Sequence, residues 1–153
     1  MSSDNYAFQH HGEFVTRRSG QLLLFAGRGP WNDLTMKTGS RDMAGYIEQF
    51  DHSKPWAQIS CIYGESLMPP STFDSFTKHT VIRRQIGLEE LAIAIIDSDI
   101  RHTIKAQLQE AYAKADVEFR FYSAIEDAIQ SLDQTKYGFD LDYVNRFFQD
   151  NRF

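Results

Sequence analysis

Leu91-Ala92-Ile93-Ala94-Ile95-Ile96 is an unbroken apolar run, and it limits what the chain can become more than any other segment. A strand without polar side chains suits a place covered on both faces. After it, Ile100, Ile104, Leu108, Ala111 and Ala115 fall on one helical stripe with charged and amide residues opposite. Val117-Glu118-Phe119-Arg120-Phe121-Tyr122 then supplies a further strand ahead of a second amphipathic helix. One crossover helix between two strands implies parallel pairing, so this β-α-β-α unit predicts an α/β domain.

The upstream residues extend the pattern. Glu13-Phe14-Val15-Thr16-Arg17 and Gln21-Leu22-Leu23-Leu24-Phe25-Ala26 flank Ser19-Gly20, as two strands joined by a tight turn would. The mixed polarity of the first places it at a sheet edge beside a more interior second. Leu34, Met36, Met43, Ala44, Ile47 and Phe50 keep helical spacing with an interruption near Gly39-Ser40, which predicts one broken helix or two short ones, the later piece capped by Ser40. Trp56 to Tyr63 reads as the next strand. Ser71, three residues before Asp74, caps a helix running towards Gly87, whose apolar positions are less regular than elsewhere. Ser98 caps the striped helix, Ser123-Ala124-Ile125-Glu126 has the form of a capping box, and residues 138–153 end in a short helix.

The expected architecture is therefore α/β: a single-layer mixed, mostly parallel sheet with an N-terminal β-hairpin, covered by helices in the order β-β-α-β-α-β-α-β-α. Residues 1–11 read as a flexible lead ending in a solvated His10-His11, residues 12–136 as the domain, and residues 137–153 as an aromatic helix packed on the domain or on a partner. Self-packing is the preferred reading of Tyr137, Phe139, Tyr143, Phe147 and Phe148. A homodimer through these C-terminal aromatics is the alternative.

Charge and composition narrow the function classes. Sixteen basic against 21 acidic side chains leave a net charge of -5, with the basic ones dispersed, so nucleic acid is a poor partner. Cys61 is the only cysteine, which allows no internal disulfide, and its place in the run Ile59-Ser60-Cys61-Ile62-Tyr63 predicts a small core residue. No stretch is long enough to cross a bilayer and Met1-Ser2-Ser3-Asp4-Asn5 is not a signal segment, so membrane insertion is not expected and cytoplasmic residence is. The five histidines are scattered without metal-ligand spacing; no metal and no cofactor are expected.

The hairpin Glu13 to Ala26, the strand Leu91 to Ile96, and the closing segment Phe119-Arg120-Phe121-Tyr122-Ser123 through Glu126-Asp127-Ala128-Ile129-Gln130-Ser131-Leu132, taken with the element order, resemble the SpoIIAA-like or STAS superfamily. The likeness covers approximately Gly12 to Leu132. Members are compact α/β domains related to anti-sigma factor antagonists and to the cytosolic parts of sulfate transporters. The resemblance thus implies a SpoIIAA-like fold, and binding of a protein partner or small ligand rather than catalysis. The antagonist branch places a phosphorylatable serine in an Asp-Ser-Ser-Gly-type motif where its third strand meets the following helix. Here Gly64-Glu65-Ser66-Leu67-Met68 stands at that place, so the motif is absent although an acid and a serine are present.

Two loops carry the candidate binding residues. Glu65, Ser66 and Ser71 belong to the proline-rich connection that follows the Trp56–Tyr63 strand. Asp97 and Ser98 stand at the carboxyl end of the apolar strand, where open parallel sheets bind ligands, although helix capping explains them as well. Gly64-Glu65-Ser66 supplies half of a nucleophile elbow, but Met68 replaces its second glycine, and an ordinary loop serine is the simpler reading. Gly27-Arg28-Gly29 lacks the third glycine of a dinucleotide fingerprint and the ending of a P-loop. No residue is assigned as catalytic. The rival to a binding domain is a small cytosolic, hydrolase-like enzyme using the Gly64–Ser71 loop, with Ser66 and Glu65, or Cys61 if exposed, beside a histidine such as His79. The third reading is a homo-oligomeric structural module.

Overall fold

The computed structural model describes residues 12–153, so the expectations for residues 1–11 and His10-His11 lie outside the described residues. Strands β1 (Glu13–Ser19) and β2 (Leu22–Arg28) form the antiparallel hairpin, closed by the pair Ser19 and Leu22. Then follow α1 (Asp33–Ile47), β3 (Trp56–Tyr63), α2 (Pro70–Gln85), β4 (Leu88–Ile96), α3 (Arg101–Ala115) and β5 (Glu118–Tyr122). The five strands lie in the order β1-β2-β3-β4-β5, and every pair after the hairpin is parallel. This mixed sheet matches the predicted architecture, with β1 at the edge.

Because each crossover advances to the next strand in the same direction, connections of one hand must all fall on one side of the sheet. Accordingly α1, α2 and α3 share a face, where Leu23, Leu91, Ile93 and Ile95 meet Ile47, Ile104, Leu108 and Tyr112. The opposite face waits for the chain beyond β5. There α4 (Ile125–Ser131), α5 (Gln134–Tyr137) and α6 (Leu141–Asp150) pack Ile129, Tyr137, Val144, Phe147 and Phe148 over Leu22, Leu24, Ile59, Ala92 and Ala94. The alternation of isoleucine and alanine along β4 sorts the two sides: bulky residues meet the crossover helices, and alanines let α4 and α6 come close.

Several local expectations are corrected. Helix α1 is continuous through Gly39-Ser40, because Asn32 caps it by accepting the Thr35 N–H at 2.9 Å, and one interior glycine costs only about 1 kcal/mol. Ser40 is not a cap. Helix α2 starts at Pro70, which needs no N–H partner at that position, while the Ser71 hydroxyl instead donates to the Asp33 carboxylate. Ser98 accepts from the Ile100 N–H at 3.2 Å and shapes the turn before α3, which begins only at Arg101. The capping-box expectation at Ser123 fails, since Ala124 is the N-cap of α4 without a side-chain bond. The expected helix within residues 138–153 is α6, and a short α5, not anticipated, precedes it.

Strand β4 begins three residues before the apolar run, at Leu88, and the pair Glu89-Glu90 that the extension includes is answered from α5. The Tyr137 hydroxyl lies 2.6 Å from Glu89 Oε1 and from Glu90 Oε2, and its single proton serves one of them at a time. Lys136 pairs with Glu89 and, ahead of the Tyr137 bond, holds its carboxyl below the usual glutamate value.

Two outcomes are expected. Phe148→Ala destabilises by about 3–5 kcal/mol in urea unfolding, because it opens a cavity under α6. Glu89 contributes stability above the ordinary glutamate value of 4.5 and loses it as pH falls through its lower folded value. Glu89→Gln therefore lowers stability at pH 7 by about 0.2–1 kcal/mol, and the difference from wild type vanishes in acid. A gap that widens on acidification refutes this.

Candidate functional site

Strand β3 is buried at every position, yet its two faces differ in chemistry. Ala57, Ile59 and Cys61 join the apolar layer under α4 and α6, whereas the alternate positions put Gln58 and Ser60 beside Ile62 on the crossover-helix face. Helix α2 answers with an inner stripe of Thr72, Phe76, Thr80 and Arg83, three of them polar and buried. This explains the irregular apolar spacing of α2: its inward positions hold hydroxyls and a guanidinium where a core helix carries leucine.

Of these, Gln58, Ser60, Ile62, Phe76 and Arg83 line a cavity of about 80 Å³ between the sheet and α1–α2, walled also by Phe25, Trp31, Met36, Gly39, Ser40, Met43 and Tyr112. Arg83 is 6% exposed. Its Nη2 donates to Thr80 Oγ1 at 3.1 Å, its Nη1 approaches Met43 Sδ at 3.7 Å, and the guanidinium sits 5.9 Å from the centre of the Phe76 ring. Its Nε has no partner. Gln58 Nε2 donates to Ser60 Oγ at 3.1 Å, and its Oε1 is likewise unpartnered. Of the four buried side-chain polar atoms without a partner among the described residues, these two border the same cavity.

Burial lowers the Arg83 pKa to about 10, which leaves it charged at neutral pH. Burial also pushes the Tyr112 phenol up, with Arg83 acting weakly in the other direction, so that phenol stays protonated. None of the ion pairs among the described residues includes Arg83. The site is thus a cation in an apolar setting, flanked by an amide and two hydroxyl-bearing side chains.

The loop after β3 forms a fixed wall. Gln107 of α3 accepts the Met68 N–H at 3.0 Å and donates to the Met68 carbonyl at 2.8 Å, while Trp31 N–H donates to the Leu67 carbonyl at 3.0 Å. Ser66 borders the cavity but is 2% exposed, its hydroxyl donating to the Tyr63 carbonyl and accepting the Gly29 N–H, each at 2.9 Å. Gly29 must be glycine for this approach, since a Cβ there would stand 2.7 Å from Ser66 Cα.

The other sequence-predicted residues stand elsewhere. Glu65 and Ser71 are exposed, outside the cavity wall. Asp97, at φ 51°, borders a separate open hollow of about 350 Å³ with Tyr63, Ser123, Glu126 and Arg152, at the carboxyl end of the sheet. Ser98 is half-buried in the turn already described. Cys61 is enclosed on the opposite side of β3, where burial raises its thiol to about 11, and His79 borders the outer groove between α1 and α2. Ser66, Cys61 and His79 are not gathered into one cavity. Arg28 donates to the Phe153 carbonyl at 2.9 Å. Among the described residues no three His, Cys, Asp or Glu side chains are grouped to hold a metal ion, and no helix is long and apolar enough to cross a membrane.

Gln58, Ser60, Thr80 and Arg83 escaped the sequence reading. Their signal was available as polar residues at period-two positions of an otherwise apolar strand, and as the 4-4-3 spacing of Thr72, Phe76, Thr80 and Arg83.

No family model and no curated protein matches the chain. Among solved structures it is similar to an uncharacterized protein of the DUF3478 family with a SpoIIAA-like fold from Shewanella loihica PV-4, at 14% identity and a TM-score of 0.55, over 87% of this chain and 99% of that one. At this identity the likeness carries the fold alone. The chain has a SpoIIAA-like fold, as its element order implied.

Ser66→Ala removes both hydroxyl bonds and strands the Gly29 N–H. It is expected to cost about 1–3 kcal/mol in denaturant unfolding. A neutral effect would show that the hydroxyl does not hold the two loops together.

Proposed function

We propose that this SpoIIAA-like domain is a non-enzymatic binding module of the cytoplasm, and that it takes a small molecule into the cavity between β3 and α1–α2. One observation carries the reading: Gln58 Oε1 and Arg83 Nε, both buried and unpartnered, border one cavity whose remaining wall is mostly apolar. Each such atom costs about 1–3 kcal/mol when nothing pairs with it. Leucine or methionine at these positions would remove the cost and fill the space. Residues that lower the stability of a core and converge on one hollow are those of a recognition site.

The surroundings suit binding more than turnover. The polar residues Gln58, Ser60 and Arg83 line a common space, the Gln107 clasp on Met68 keeps the adjoining loop in place, and Gly39 contributes no side chain to the wall. The candidate binding set of the sequence meets this site at Ser66, which is the wall behind the polar groups and not one of them.

1-Propanol, with four non-hydrogen atoms, serves as a probe of the cavity of about 80 Å³. It is expected to raise the melting temperature saturably, by about 2–4 °C per kcal/mol of binding, and to shift the methyl NMR signals of Met36 and Met43. Ser60→Leu fills the space and should abolish both effects while preserving the fold. Unmoved methionine signals in the wild type at concentrations that change the melting temperature would overturn the reading.

A further inference from the structure

Resting on that reading of the cavity, we infer that the molecule it takes is a small monocarboxylate, its acid group paired with Arg83 and its apolar body lying against Phe25, Met36 and Met43. The cavity offers one full positive charge and no acidic side chain paired with it among the described residues. A single buried cation is balanced by a single negative charge; a dianion such as phosphate would leave its second charge buried among methionine and phenylalanine side chains.

The donors fit a planar acid. Arg83 Nε–H is unused, and its neighbouring Nη2–H reaches only a hydroxyl, so one edge of the guanidinium can turn to a carboxylate's two oxygens. The Gln58 amide can reverse end for end, because the Ser60 hydroxyl accepts or donates equally well. Reversed, Gln58 presents an N–H to the acid and loses its unpaired oxygen in the same motion. The acid then accepts from Arg83 Nε–H and from the Gln58 N–H, while Gln58 Oε1 accepts from the Ser60 hydroxyl.

Size sets the body of the ligand. At about 80 Å³ the cavity is roughly half the ~150 Å³ hollow that holds benzene in an engineered protein core, so it admits about three or four non-hydrogen atoms. A short-chain acid such as butyrate places its carboxylate and first carbons there, with the end of its chain lying towards Gly39 and Ser40.

Butyrate and its uncharged counterpart butyramide separate the charge from the shape. Calorimetric titration at fixed ionic strength is expected to show butyrate binding at least tenfold tighter than butyramide to the wild type. Arg83→Met should weaken butyrate about tenfold to a hundredfold and leave butyramide unchanged. The variant should be no less stable than the wild type, since it exchanges an incompletely paired buried cation for an apolar side chain; should it fail to fold, the wild-type preference for acid over amide decides. Butyramide equal to butyrate, or inorganic phosphate binding where butyrate does not, overturns the assignment of a monocarboxylate. If 1-propanol binds and butyrate does not, the cavity reading stands and this inference fails. If none of these probes binds, both fall together.

Discussion

The steady advance of the strands is the constraint on which the rest of the structure depends. A parallel sheet that grows by one strand per crossover, always in the same direction, places every crossover helix on one side. The other side then carries Leu22, Leu24, Ile59, Ala92 and Ala94 with no connection available to cover them. Among the described residues, only those after β5 do so. The aromatic residues of α5 and α6 are therefore structural by topology, and Tyr137, Phe147 and Phe148 are buried within the chain itself.

The two faces solve different packing problems. Under α4 and α6 the sheet presents alanines and a cysteine along with larger aliphatics, and large aromatic rings fill the space. Under α1 and α2 the same strands present Phe25, Gln58, Ser60 and Ile62 to a helix whose inner stripe is mostly polar. One side is closed by volume, the other left with a hollow and two unsatisfied atoms. That asymmetry, within a single sheet, puts the hollow lined by Gln58 and Arg83 on the crossover side while the tail side supplies hydrophobic stability.

The fold was legible where periodicity is strong. Trp56–Tyr63 and Leu91–Ile96 could be read as strands because continuous apolar runs of that length leave few alternatives, and the stripe Ile104, Leu108, Ala111 and Ala115 is that of α3. Helix starts were less legible. Ser71, Ser98 and Ser123 are competent caps, but Pro69, Ile100 and Ala124 stand at the cap positions, so packing and neighbouring loops, not the nearest hydroxyl, set where these helices begin. The cavity was hidden for a related reason. Gln58 and Arg83 are separated by 25 positions and meet only through the pairing of sheet and helix, while the loop that attracted attention, Gly64 to Ser71, contributes Ser66 and Met68 as wall.

The hairpin turn is bound to the far end of the chain: the Gln21 N–H donates to the Tyr137 carbonyl at 2.7 Å, and Gly20, at φ 56°, leaves no room for a side chain against Gly138. On the ribosome, β2 is made more than a hundred residues ahead of that contact. Throughout that interval half of a greasy sheet faces outward, at risk of sticking to neighbouring nascent chains.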